Sequence, residues 1–393
     1  MRNPILTKIG GNYHQNPKKA KLGTAAKEMI VKVMEGIPKG EFMDYHMHIL
    51  GIGIDNPHIW VNPGILSLRH PMDYFKIKVF MNASGITSRK KADGQYKNRL
   101  LTLIDDIPTK SKFCLFAMDG CYSKEGKFIK EDSKFTISNE YVYNFYKEKP
   151  DQLIPVISVH PFKPGALEEL EKWQKKGVKM IKWLPAIMGM DPSDPEIVPF
   201  YQKVKELDMI LLSHSGQEDT VPVVKFQPLN NPLLFRLPLE IGVKVVLAHC
   251  GGKGTAKDLD NNNKMVDQHE LFFRLMDEPK YEGLLFGDIS AMVQSNRCGK
   301  PLADILNKRE HHHRLLYGSD YPLPAINAGI SLKLLHKLKY LDKVDIDPLC
   351  DIYKKNPLLF SFALKRRLRD PNDPSYRLPA TMFYYKPELG INL

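Results

Sequence analysis

The sequence has no Cys-x-x-Cys pair. Its five cysteines, Cys114, Cys121, Cys250, Cys298 and Cys350, are scattered along 393 residues. That spacing excludes a cysteine zinc knuckle and argues against a disulfide framework, so reduced thiols in a cytoplasmic protein are expected. Long apolar runs are also missing. Runs such as Met209–Leu212 and Val243–Ala248 fall far short of the ~20 residues a helix needs to cross a bilayer, and the second contains a lysine. The opening stretch Met1–Lys21 is polar and lacks the apolar centre of a secretion signal. Internal repeats and low-complexity segments are absent. No Gly-x-Gly-x-x-Gly turn follows the first strand candidate, which counts against an open dinucleotide-binding sheet.

Acidic charge is in short supply: 57 lysines and arginines face 45 aspartates and glutamates, giving +12 at pH 7. The lysines are spread along the chain, many on helical stretches (Lys172, Lys175, Lys176, Lys203, Lys205), as a solvated surface would have them and a polyanion-binding face would not. A membrane or nucleic-acid partner is therefore not expected. A small anionic substrate drawn to a positive mouth is, and self-association as a homo-oligomer stays open.

What the sequence does have is regular alternation. Apolar, partly β-branched or aromatic runs bounded by turn residues predict strands at Phe42–His46, Phe113–Met118, Ile154–Val159, Val178–Trp183, Met209–His214, Val243–His249, Leu284–Ile289 and Arg314–Gly318. Helix-like stretches separate them or follow them: Met72–Ala83, Ser138–Lys149, Ala166–Lys176, Pro195–Leu207, Asn231–Ile241, Met265–Glu278, Pro301–Arg309 and Ala325–Lys339. Strands that alternate with helices must be parallel, since each return needs a crossover, and eight such units close into a (β/α)₈ TIM barrel. The expected organisation is an N-terminal arm and helix (1–40), a barrel (41–368) and an irregular C-terminal tail (369–393). A Pro348–Leu368 helical region lies near the barrel's end, and a long loop, about 49–112, follows the first strand.

The chemistry sits at the strand ends. In Asp44-Tyr45-His46-Met47-His48, residues two apart on a strand point to the same side. His46 and His48 thus project together at the end of the barrel where such enzymes place their active sites. Alone, His-x-His is a weak signal. However, His214 ends the fifth strand, His249 ends the sixth and Asp320 follows the eighth, each just before glycine, serine or proline turn chemistry. Core histidines would instead fall mid-strand, so a shared metal site is the better account. Imidazoles with one carboxylate suit a divalent transition metal, Zn²⁺ first and Mn²⁺ or Fe²⁺ next, with a coordination position left for water.

This set of strand-end residues resembles the amidohydrolase superfamily, in particular the branch containing aminocarboxymuconate semialdehyde decarboxylase and pyrone dicarboxylate lactonase. The likeness runs from about Phe42 to Leu364. It includes Ile154-Pro155-Val156-Ile157-Ser158-Val159-His160-Pro161, Gly177-Val178-Lys179-Met180-Ile181-Lys182-Trp183-Leu184-Pro185, His249-Cys250-Gly251-Gly252, Tyr317-Gly318-Ser319-Asp320-Tyr321-Pro322 and Asn356-Pro357-Leu358-Leu359-Phe360. The resemblance implies His46, His48, His214 and Asp320 as ligands of one metal. His249 would be the catalytic, substrate-polarising histidine, and Asp320 would also accept the proton of the attacking water. Lys182 is placed where some superfamily members carry a carbamylated lysine bridging two metals; a second metal is expected only with that modification, and otherwise Lys182 is a candidate for binding a substrate anion. His160 and Arg69 are further candidate substrate contacts.

Three readings follow: a metal-dependent hydrolase of a lactone, amide or related carbonyl; a non-oxidative decarboxylase using the same metal set; and a catalytically silent barrel that binds a partner. Other conspicuous residues are set aside. His311-His312-His313 precedes the eighth strand and is expected on the surface at the opposite face of the barrel. His58 and His70 lie in the long first loop, Asp288 is a weak substrate-binding candidate, and Arg297, like Arg69, could bind a substrate carboxylate but reads more readily as a surface arginine.

Overall fold

The computed structural model describes residues 4–13, 16–67, 70–220 and 224–391. All eight barrel strands are present: β1 (Phe42–His48), β2 (Ser111–Phe116), β3 (Leu153–Ile157), β4 (Met180–Trp183), β5 (Ile210–Ser213), β6 (Lys244–Leu247), β7 (Leu285–Asp288) and β8 (Leu315–Leu316). They form one eight-stranded sheet in chain order. Register is parallel, with Lys182 opposite Leu212 and Leu212 opposite Val246. The last strand returns to the first: the Tyr45 N–H donates to the Tyr317 carbonyl (2.9 Å) and the Asp320 N–H to the His46 carbonyl (2.8 Å). The fold is the (β/α)₈ barrel that the alternation predicts.

By compactness the chain divides into two units, residues 1–57, 74–113 and 290–385, and residues 58–73, 114–289 and 386–393. The second holds β3 to β7. Val156, Met180, Leu211, Leu212, Val245 and Val246 are fully buried there, as expected for strands covered on both faces. The first unit holds β1 and β8. An aromatic cluster packs beside them: the Phe42 and Phe362 rings lie 4.9 Å apart, and Tyr317 stacks on Phe383 at 5.3 Å. Phe383 belongs to the C-terminal tail, which is irregular in path but fixed in place by the bond from the Tyr317 N–H to the Met382 carbonyl (2.7 Å).

Four local expectations are corrected. Residues 88–99 of the expected long loop are mostly the start of a helix, Ala92–Asp105, whose buried Tyr96, Leu100 and Leu103 recur at helical spacing. Met265–Glu278 opens as a hairpin strand, Met265–Asp267 paired with Thr255–Lys257, before its helix Gln268–Met276 begins. Within Ala325–Lys339 only Leu332–Lys337 is α-helical. The helical region near residue 348 is two helices, Ile346–Lys355 and Pro357–Arg367. Pro357 cannot continue the first helix, and the Asn356 carboxamide oxygen caps the second by accepting from the Leu358 and Leu359 N–H groups (3.0 and 3.3 Å).

Candidate metal centre

In the first unit, the period-two geometry of β1 brings His46 and His48 to the same side, and the turn after β8 brings Asp320 to them. Three Lewis-base atoms converge: His46 Nε2 is 3.1 Å from His48 Nε2, and Asp320 Oδ1 lies 3.4 Å from the first and 3.1 Å from the second. Two ligands bound tetrahedrally at ~2.0–2.1 Å stand about 3.3 Å apart, so this donor set fits a small divalent ion.

The surrounding residues hold the triangle in place. Ser290 Oγ contacts His46 Nδ1 at 3.2 Å, which leaves Nε2 facing Asp320. Asp44, two residues before His46, accepts from the His46 N–H (3.1 Å) and the Ser319 N–H (2.8 Å), tying β1 to the turn after β8. Burial pushes the Asp44 carboxyl up to about 7, against the opposing pull of its Ser319 and His46 hydrogen bonds and of the positive Lys365. Asp320 itself has φ +58, a left-handed backbone that a β-carbon disfavours and that gathers at functional sites.

In the second unit, His214 follows β5 and His249 follows β6. Their rings meet edge to face with centroids 5.0 Å apart. His214 Nε2 is 3.7 Å from Glu218 Oε2, and Glu218 is buried. His249 (φ 60, ψ 16) and Cys250 (φ 48, ψ 46) are both left-handed. The His249 N–H is anchored on Asp288 Oδ1 at 3.1 Å, so the role seen for Asp288 is to hold the His249 backbone. The two histidine turns run backbone against backbone. At Gly216 (φ +90) a β-carbon would collide with the Gly251 carbonyl, so only glycine fits there.

Lys182 is fully buried on β4, with Nζ 4.7 Å from the centre of the Phe116 ring. His160 is also fully buried. The Phe162 N–H donates to its Nδ1 and the Met188 carbonyl takes its Nε2 (both 3.2 Å), so both ring nitrogens are engaged within the protein. Burial lowers its pKa to about 4, which keeps the ring neutral. Arg69 lies outside the described residues. His311 and His312 are buried, not superficial as their sequence position suggested: His311 Nδ1 meets Arg314 Nη2 (3.0 Å), and His312 joins the Ile305 carbonyl (2.7 Å) to the Tyr376 hydroxyl (2.6 Å). Arg297 is buried too. His58 contacts Ser138 Oγ at 3.1 Å. The cysteines are all free thiols. No helix among the described residues is long and apolar enough to cross a membrane.

Sequence reasoning missed Asp44, Ser290 and Glu218. Asp44 and Glu218 carried a weak signal, being two residues before one candidate histidine and four after another. Nothing local marked Ser290, which is 244 residues from His46.

No curated protein matches this sequence. Among solved structures, the chain is similar to an uncharacterized TIM-barrel protein from Bordetella bronchiseptica, at 12% identity over 78% of this chain and 94% of that one, with a TM-score of 0.48. It is also similar to a putative 2-pyrone-4,6-dicarboxylic acid hydrolase from Pseudomonas putida (15% identity, 72% and 83% covered, TM-score 0.40) and to 2,6-dihydroxybenzoate decarboxylase from Rhizobium (13%, 77% and 99%, TM-score 0.41). The profile of the family described as Amidohydrolase matches residues 129–332, just over half of the sequence. The chain therefore belongs to the amidohydrolase family.

Proposed function

We propose that this chain is a metal-dependent hydrolase of a small lactone, amide or related carbonyl compound, with His46, His48, His214 and Asp320 holding one divalent metal, zinc by preference. The convergence of His46 Nε2, His48 Nε2 and Asp320 Oδ1 to 3.1–3.4 Å carries the reading. Two imidazole lone pairs and a carboxylate held at contact distance favour a cation among them.

In this reading His214 completes the set from β5, with Glu218 orienting its ring. A bound divalent metal would polarise the carbonyl and lower the pKa of a water. Asp320 takes the proton that the attacking water loses. His249 donates a hydrogen bond to the carbonyl oxygen as negative charge gathers there. Its strained backbone, pinned by Asp288, fixes the imidazole before substrate arrives. Lys182 offers a positive charge to an anionic substrate, as an unmodified lysine beside a single metal.

The test is metal analysis of the purified chain together with a screen of lactones, amides and unsaturated or aromatic carboxylates. About one zinc per chain and hydrolysis of a lactone or amide are expected. Release of carbon dioxide from a carboxylate would replace hydrolysis by decarboxylation on the same residues. Absence of bound metal would sink both.

A further inference from the structure

The segment after β1 carries a pair of aspartates that the metal reading does not use. Asp93 is 1% exposed, and its carboxylate accepts four successive backbone amides from a loop just beyond His48. Oδ1 takes Ile52 N–H (2.6 Å) and Gly53 N–H (3.4 Å), while Oδ2 takes Ile54 N–H (3.1 Å) and Asp55 N–H (3.3 Å). Asp55 returns the contact: its carboxylate accepts from the Asp93 N–H (2.9 Å) and the Gly94 N–H (3.1 Å). Those are first-turn amides of the Ala92–Asp105 helix, which have no partner inside a helix. Each aspartate thus satisfies the backbone that bears the other.

One turn further along the helix, Tyr96 is fully buried and its hydroxyl donates to the His48 carbonyl. The Tyr96 ring lies 6.1 Å from that of Tyr321, the residue after Asp320, and the Tyr321 carbonyl accepts the His48 N–H (3.0 Å). Both backbone groups of His48 are therefore held. The far end of the helix is fastened as well, by Asn356 Nδ2 on the Leu103 carbonyl (2.9 Å) and Lys355 Nζ on Asp106 Oδ1 (2.7 Å).

We propose that the Ala92–Asp105 helix is a positioning element for the metal centre: the Asp55–Asp93 clasp fixes the chain beyond His48, and Tyr96 fixes the His48 backbone, so that its imidazole stays aligned with Asp320. Gly51 and Gly53 follow His48 closely, and such a loop would wander without a tether. The proposal rests on the metal reading above, and the length of the first βα segment follows from it. The segment supplies a brace for a ligand.

The test compares Tyr96→Phe and Asp93→Asn with the wild-type chain, using zinc alone as the probe. Zinc affinity is measured by competition with a chromophoric chelator, and the melting temperature of the metal-free protein is followed in parallel. Outer partners of a metal ligand typically change affinity by about 10–100-fold, so Tyr96→Phe should weaken zinc at least tenfold. Tyr201→Phe is the control: it removes another buried hydroxyl, bonded to the Pro192 carbonyl at 2.7 Å, and should leave zinc affinity unchanged. Wild type and both variants holding zinc equally, or losing only melting temperature, overturns the clasp alone. A wild-type chain that takes up no zinc defeats the metal reading itself. If Asp93→Asn fails to fold, Tyr96→Phe decides the matter.

Discussion

The two compact units present their strand-end histidines in different ways. In the first, His46, His48 and Asp320 put their ligand atoms at contact distance, and the neighbouring Asp44 and Ser290 lock the arrangement. In the second, His214 and His249 meet edge to face at 5.0 Å, and the strain lies in the backbone at His249. Converging lone pairs suit a resident cation. Left-handed backbone occurs in both units, at Asp320 and at His249, so it marks functional turns without sorting ligand from catalytic group. On the proposed reading the His249 imidazole is the one that faces the reacting carbonyl. In that reading, the histidines that end strands of one barrel divide between holding the cation and facing the substrate carbonyl.

The strongest way to break this contrast is to empty the first unit of its imidazoles. His46→Ala with His48→Ala should take metal content from about one ion per chain to almost none while far-UV circular dichroism keeps its barrel signature. Unchanged metal in that double variant ends the assignment. Next come the second unit's histidines, taken apart from each other. His214→Ala should lose both metal and turnover. His249→Asn should keep its metal and its melting temperature and lose about 10²–10³ in kcat, the usual effect of removing one transition-state donor. Metal leaving with His249 would make it a ligand and erase the distinction between the two residues.

A smaller effect probes how the histidine turns of the second unit are built. Gly216→Ala forces a β-carbon into left-handed backbone and against the Gly251 carbonyl. The conformational penalty is about 1–2 kcal/mol and the overpacking about 1–3, so a loss of roughly 3 kcal/mol in unfolding free energy is expected by denaturant titration. A loss below about 0.5 kcal/mol would mean that the two turns are not in firm contact.

How much of this was legible in the sequence follows from the range of each interaction. The strands were legible because burial on both faces leaves short apolar runs between turns, and all eight formed where predicted. His46 and His48 were legible because period-two geometry is local. The Ala92–Asp105 helix was obscured by its polar opening, Ala92-Asp93-Gly94-Gln95, although Tyr96, Leu100 and Leu103 already carried helical spacing. Asp93 could not be read as a clasp, because its amides lie about 40 residues earlier in the chain. The buried pair His311 and His312 misled for the same reason: a run of three histidines looks superficial until Ile305 and Tyr376 are seen to take the His312 ring.

The subtlest prediction concerns His160, a third strand-end histidine of the second unit and the one that is shut. Its neutral ring receives the Phe162 N–H on Nδ1 and gives Nε2–H to the Met188 carbonyl, and the Asp119 carboxylate accepts its backbone N–H at 3.1 Å. Asp119, Tyr122 and Lys163 are the titratable groups around it. Because burial lowers its pKa from 6.5 to about 4, the unfolded chain binds a proton between those values while the folded chain does not. Stability from this residue is therefore complete above pH 6.5 and falls as pH drops towards 4. The shift corresponds to on the order of 2 kcal/mol lost by pH 5 and about 3 at pH 4. His160→Gln cannot titrate, so it should be less stable than wild type at pH 7, and the gap should shrink steadily as pH falls. Subtracting the two unfolding curves removes every other titrating group, including Asp119, whose contact with the residue 160 backbone survives the substitution. A gap that stays constant from pH 7 to pH 4.5 would show that the ring takes up its proton in place, which is the behaviour of an open, substrate-facing histidine and would return His160 to the company of His214 and His249.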